Sequence, residues 1–282
     1  MEKLIRAVAE SKRDKLNRDE AENLPKQIIS KEALSDDANL SNKVKANVEY
    51  EQTRVVSLNH DLLAKNRIVA FNKNNHLSLG FDILRTQVID KMLKNGWRTL
   101  AVTSPIPACG KTMVSINLGM SIAHHTDRTA MLVDFDLRRP TVAKYLGLAS
   151  GPTLNDVLSG DAAVSESLVN PGLERFVILP TAIPVKHSSE VLSSRKVSNL
   201  ITEFRERYAE RIVIFDLPPL LSTDDAMIML KQVDCVLVVV GNGMVSKTDL
   251  EESMRYVDQN KLLGTVLNKA RVPNSKRDYY EY

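Results

Sequence analysis

No glycine occurs before Gly80, and ahead of it only Pro25 interrupts a stretch dense in Lys, Glu, Asp, Asn and Ser. Such a composition cannot bury a core of its own. Residues 1–60 are therefore expected to form a charged extension, disordered or helical. Leu4, Ile5 and Val8 would line one face of a helix over residues 2–18, suited to docking on a partner or a membrane surface; the alternative is a solvated tail. Cysteine is scarce, with only Cys109 and Cys235, which argues against a disulfide scaffold and for a reducing compartment such as the cytosol. The start of the chain mixes both charge signs and lacks the apolar stretch and cleavage site of a secretory signal. No apolar run could span a bilayer, because the longest, CVLVVVG at 235–241, has the length of a strand. Charge of one sign is lacking too: 38 basic and 35 acidic side chains leave +3, too balanced to indicate a nucleic-acid partner. Repeats and low-complexity tracts are absent.

What is present is a core: 43% of the 282 residues are hydrophobic. From RIVAF (67–71) the character changes, and Leu77, Phe81, Leu84 and Val88 recur at helical spacing. Strands are predicted at 98–104, 129–136, 176–181, 211–219, 234–241 and 262–270, with helices at 111–125, 198–210 and 247–260 among the segments between them. Most of the strands are continuous apolar runs, the mark of a parallel sheet covered on both faces. The fold class is α/β, a doubly wound, mostly parallel sheet, with a folded domain over 61–270 and a flexible tail over 271–282.

In such a sheet ligands bind beyond the carboxyl ends of the strands. After the first strand, SPIPACGKT (104–112) ends as a phosphate-binding loop should, although Pro105 stands where the usual first glycine would be. Lys111 can reach the β- and γ-phosphates of ATP, and the Thr112 hydroxyl can ligate magnesium. Backbone N–H groups of residues 108–113 (Ala108, Cys109, Gly110, Lys111, Thr112, Met113) face an anion at the helix start, with Pro107 leading in. At strand spacing Asp134 and Asp136 would leave one face together, compensated by magnesium or by Arg138 and Arg139. Asp216, ending IVIFD, is placed to hold a magnesium-bound water, and Asn268 either meets the nucleotide base or caps a loop. His124 and His125 would interact with the dipole at the end of their helix, and Cys109 could be open to oxidation. SSEVLSS (188–194) is a candidate for a substrate or activator surface.

Ser104, Pro107, Gly110, Lys111 and Thr112, the D-x-D-x-R run from Asp134 to Arg138, and the strand ending D-x-P-P at Asp216 to Pro219 together resemble the bacterial tyrosine kinases of capsule and exopolysaccharide synthesis. The resemblance covers roughly residues 67–282. It implies a P-loop domain, ATP and magnesium as cofactors, and catalysis by Lys111, Asp134, Asp136 and Asp216. Within that set, Asp134 would orient or deprotonate the tyrosine hydroxyl, and Thr112, Asp136 and Asp216 would serve the metal. It further implies that Tyr279, Tyr280 and Tyr282 of the terminal YYEY accept the phosphate. A membrane-embedded polysaccharide chain-length regulator is the implied activator, holding the chain in the cytoplasm at the inner face of the membrane, and homo-oligomeric rings are implied by the family's E-x-x-R-x-x-R helix. The sequence departs from the pattern in three places, one being the lack of the family's membrane-spanning activator segment, from which a separate membrane protein is expected as partner. Ala108 stands where many members have glycine, and Leu79 and Asp82 fill two of the three ring-helix positions, leaving Arg85. Two rivals remain: a partition or cell-division ATPase, although the second lysine of those loops is here Ile106, and an adaptor that binds ATP and transfers nothing.

Overall fold

The apolar runs stop where the strands stop. The structure, a computed structural model, describes residues 53–270 apart from 74, 125, 126 and 150. Tyr279, Tyr280 and Tyr282, the stripe of Leu4, Ile5 and Val8, and His125 lie outside the described residues. The strands are β1 Arg54–Val55, β2 Thr99–Thr103, β3 Thr129–Asp134, β4 Val169–Asn170, β5 Phe176–Leu179, β6 Arg211–Asp216, β7 Cys235–Gly241 and β8 Leu262–Asn268. The α-helices are α1 His60–Lys65, α2 Leu79–Lys94, α3 Lys111–Ala123, α4 Val142–Leu146, α5 Leu154–Ser159, α6 Val164–Ser167, α7 Ser188–Leu192, α8 Arg195–Glu206, α9 Asp225–Leu230 and α10 Lys247–Met254.

The strands form one sheet in the order β1-β4-β5-β3-β6-β2-β7-β8. Every pairing is parallel except that of β4 with β5. Alternate residues of the central strands feed two apolar layers. Leu100, Val102 and Leu132 join α1 to α3 on one face, whereas Ala101, Met131 and Val133 join α8 and α9 on the other. Both faces being covered is why these strands read as unbroken apolar runs. β8, at the edge, alternates instead.

Local chemistry sets the helix limits. α8 begins where Ser194 accepts the Val197 N–H, and it buries Val197, Leu200, Ile201 and Phe204 at i, i+3, i+4, i+7. A reciprocal capping box between Ser246 and Asp249 starts α10. That helix ends at Met254, short of the expected 260, and the chain turns at Asp258, whose Oδ1 accepts the Asn260 N–H at 2.9 Å before β8 begins. Two further differences concern strands. β1 and β4, two residues each, gave no periodic signal, and β1 brings the sheet ahead of residue 61, the expected start of the domain. The run expected over 129–136 stops at Asp134.

Because β3, β6 and β2 are neighbours, their carboxyl ends lie side by side, with Asp134 opposite Asp216 and Asp216 opposite Val102. Lys111, Thr112, Asp134, Asp136 and Asp216 converge on that edge.

Candidate active site

β2 hands the chain to the loop through two hydroxyls: Thr103 Oγ1 donates to the Pro218 carbonyl at 2.7 Å and Ser104 Oγ to the Ile106 carbonyl at 2.8 Å. The loop then turns through left-handed backbone at Ala108, φ 62°, and Gly110, φ 94°. Ala108 thus adopts the conformation that glycine would favour, at a cost of about 1 kcal/mol. Gly110 has a second constraint, since a Cβ there would collide with Asn268 Nδ2. That amide donates to the Cys109 carbonyl at 2.8 Å, and Asn268 Oδ1 accepts the Lys269 N–H. In this arrangement Asn268 props the loop. The Cys109 side chain is fully buried in the core, so only its backbone faces the site and the thiol is shielded from oxidants. Met113 is partly buried against the same core.

At the start of α3, Lys111 Nζ meets Asp136 Oδ2 at 2.7 Å and Asp216 Oδ2 at 3.8 Å. Burial works against its charge, but Asp216 and Asp136 outweigh it and hold the Lys111 pKa above the ordinary lysine value. Thr112 Oγ1 donates to Asp216 Oδ2 at 2.6 Å, and Ser115 Oγ, one helical turn beyond Lys111, donates to Asp216 Oδ1 at 3.1 Å. Burial pushes the Asp216 carboxyl up, offset in part by Lys111 and the Thr112 hydroxyl.

Asp134 and Asp136 do not leave one face together, because β3 ends between them. Asp134 turns under the site, where its carboxylate accepts the N–H groups of Thr141 and Val142, each at 3.0 Å, and of Asp136 at 3.2 Å. Burial, and then the charge of Asp216, push Asp134 up to about 8. Asp136 instead lines a cleft of about 520 Å³ together with Pro107, Ala108, Gly110, Lys111, Thr112 and Thr141. Nor do the arginines compensate this pair: Lys111 does so, while Arg138 turns to Asp225 at 3.1 Å. His124 Nε2 lies 2.9 Å from the Ala70 carbonyl, and burial lowers its pKa, which disfavours the charged form a helix-dipole contact requires.

The sequence missed Ser115, Thr141 and Tyr145, the last two lining the cleft. Ser115 was recoverable, since it stands at i+4 from Lys111 on the same helix face; Thr141 and Tyr145 had no signal of their own.

The oxygen donors of Thr112, Asp136 and Asp216 suit a hard cation such as magnesium. Among the described residues no group of three or more His, Cys, Asp or Glu side chains is arranged to hold a metal ion alone. Phosphate oxygens and water would have to complete the coordination, as is usual for magnesium at a nucleotide site.

A glycine-lysine-threonine turn at a helix start, with acidic side chains at two adjacent strand ends of a parallel sheet, defines a P-loop NTPase-type domain. The chain is a homologue of bacterial tyrosine-protein kinases. It is 29% identical over 204 residues to the tyrosine-protein kinase Wzc of Salmonella typhimurium, a match covering 71% of this chain and 28% of Wzc. It is also 29% identical over 205 residues to the tyrosine-protein kinase YwqD of Bacillus subtilis, covering 71% of this chain and 83% of YwqD. The chain thus spans little more than a quarter of the length of Wzc. Among solved structures, the VpsO kinase domain superposes with a TM-score of 0.61 at 25% identity, over 69% of this chain and 96% of that one. The septum site-determining protein MinD of Pyrococcus horikoshii, complexed with Mg-ADP, shares the fold at a TM-score of 0.50 and 23% identity, over 65% of this chain and 76% of that one. No family model matches the chain.

Proposed function

We propose that the chain is an ATP-dependent protein-tyrosine autokinase acting in exopolysaccharide or capsule synthesis and export, with Tyr279, Tyr280 and Tyr282 as acceptors. One observation carries the reading. Lys111, held 2.7 Å from Asp136 at the mouth of a phosphate loop, occurs in a chain whose relatives are named tyrosine-protein kinases.

Lys111 and the loop N–H groups would bind and orient the phosphates of ATP, and Thr112 and Asp216 would hold magnesium. The ion, when bound, neutralises charge that develops on the transferred group. Of the three carboxylates only Asp136 lines the cleft, so orienting or deprotonating the incoming hydroxyl falls to Asp136. Asp134 fixes the Asp136–Val142 turn from below. Activity that survives Asp134→Asn but not Asp136→Asn supports this division; the reverse restores the hydroxyl to Asp134.

The chain would work in the cytoplasm, at the inner face of the membrane, through a membrane-embedded chain-length regulator. No helix among the described residues is long and apolar enough to cross a membrane by itself. Incubating full-length protein with γ-labelled ATP and magnesium, and then locating the label, tests the whole reading. Label on the three tail tyrosines is expected. Free phosphate alone would make the chain an ATPase of the partition type, and neither product would make it an adaptor.

A further inference from the structure

Arg138 is half exposed, yet its guanidinium is tied to a buried partner. Its Nε donates to Asp225 Oδ2 at 3.1 Å and its Nη2 to Asp225 Oδ1 at 3.3 Å, a bidentate clamp. Asp225 is itself fully buried, and it accepts the Ser188 hydroxyl at 2.7 Å. Ser188 also meets Arg138 Nε at 2.9 Å, and Asp224 Oδ1 lies 3.6 Å from Nη2, so three side chains hold one edge of the guanidinium. The other edge, Nη1, meets no acceptor among the described residues, and Arg138 lines the nucleotide cleft. Arg139 lines it too; its backbone N–H is tied to Asp136 Oδ1 at 3.1 Å, and its side chain makes no ion pair among the described residues.

Ordering a long, exposed arginine costs rotamer entropy, which a surface ion pair barely repays. A fork ordered in advance, with donors left over, binds a planar anion without that cost. Two anions could take those donors. The phosphates of ATP already have Lys111 and the loop N–H groups. The acceptor segment brings carboxylates of its own, since Asp278 precedes Tyr279 and Glu281 lies between Tyr280 and Tyr282.

We propose that Arg138 and Arg139 form an acceptor-reading site that selects tyrosines flanked by carboxylates, with Asp225 and Ser188 as positioning residues for Arg138. The substrate class is an acidic tyrosine peptide, of which residues 278–282 of this chain are one example. The proposal rests on the kinase reading, as it names that reaction's acceptor.

The experiment measures binding separately from transfer. Full-length protein carrying Asp278→Asn and Glu281→Gln, so that its own tail does not compete, is loaded with Mg-ADP and titrated with a fluorescent peptide of residues 271–282. Fluorescence anisotropy gives the affinity, and a second peptide carries the same two neutral substitutions. The acidic peptide should bind about three- to ten-fold more tightly than the neutral one. Arg138→Gln or Arg139→Gln should erase most of that difference while Mg-ATP affinity stays constant. Asp225→Asn should weaken the acidic peptide but have no further effect when Arg138→Gln is already present, a coupling that general destabilisation would not produce. Should Asp225→Asn fail to fold, Ser188→Ala serves, with a smaller loss of the same kind. Equal binding of the two peptides, or arginine variants that weaken only Mg-ATP, overturns the proposal. Selective peptide binding without tyrosine labelling by the wild type would uphold the site and overturn the kinase reading instead.

Discussion

In the proposed reading Lys111 is a phosphate ligand, and in the structure it is the counter-charge to Asp136 and Asp216. Lys111→Met should abolish transfer, and because it leaves Asp136 and Asp216 without their cation it should also lower stability, by roughly 3 kcal/mol when nucleotide and magnesium are absent. Labelling and urea titration read the two effects separately; a variant as stable as wild type would mean the carboxylates are relieved by some other group. Ala108 offers a finer test of the loop. Glycine there removes about 1 kcal/mol of left-handed strain but returns about 0.4–1 kcal/mol through the freer unfolded chain. Ala108→Gly should therefore leave stability within about 0.5 kcal/mol of wild type and transfer intact. Ala108→Val, β-branched at φ 62°, should lose both. An active valine variant would show that the loop does not need this backbone.

At the scale of elements, α3 carries the loop and depends on Gly119. A Cβ there would sit 2.6 Å from Phe176 Cε2 and 2.8 Å from Cζ, on β5. Alanine favours the helix by about 1 kcal/mol, but overpacking costs about 1–3 kcal/mol. Gly119→Ala should thus destabilise the protein by up to about 2 kcal/mol in a denaturant titration, and a stabilised variant would show that Phe176 moves aside. The long elements around it were legible because periodicity is a local property. The central strands read as strands, and Leu84 and Val88 marked α2. β1 and β4 are too short to carry a period. The site was legible in its members more than in its wiring. Lys111, Thr112 and Asp216 announced themselves by motif, but the divergence of Asp134 and Asp136 depends on where β3 stops. The clamp on Arg138 joins residues 87 positions apart, which no local pattern reports. Arg85, the survivor of the expected ring-forming set, is spent internally on Asp82 at 2.8 Å and the Ser121 carbonyl at 3.1 Å.

For the molecule as a whole, the proposed autokinase reading raises the question of whose cleft would take the acceptor tyrosines. β8 ends at Asn268, beside the loop, so a segment leaving it must reverse at once to enter its own cleft, whereas a neighbour can receive it extended. Transfer is therefore expected to run between molecules. Mixing active protein whose three tail tyrosines are replaced by phenylalanine with full-length Lys111→Met protein should place label on the inactive partner. A partner that stays unlabelled, while wild type labels itself, would place transfer within one chain.

The Asn268–Cys109 contact spans 159 positions. During synthesis the loop and its lysine leave the ribosome long before the residue that braces them, and a nascent chain carries a phosphate loop with nothing behind it. Nucleotide capture, on the proposed reading, is thus expected to be a late event in biogenesis, tied to completion of the sheet edge. A chain halted after Lys261 should retain the whole motif and still fail to hold ATP, which makes the final strand the inspection step for the first.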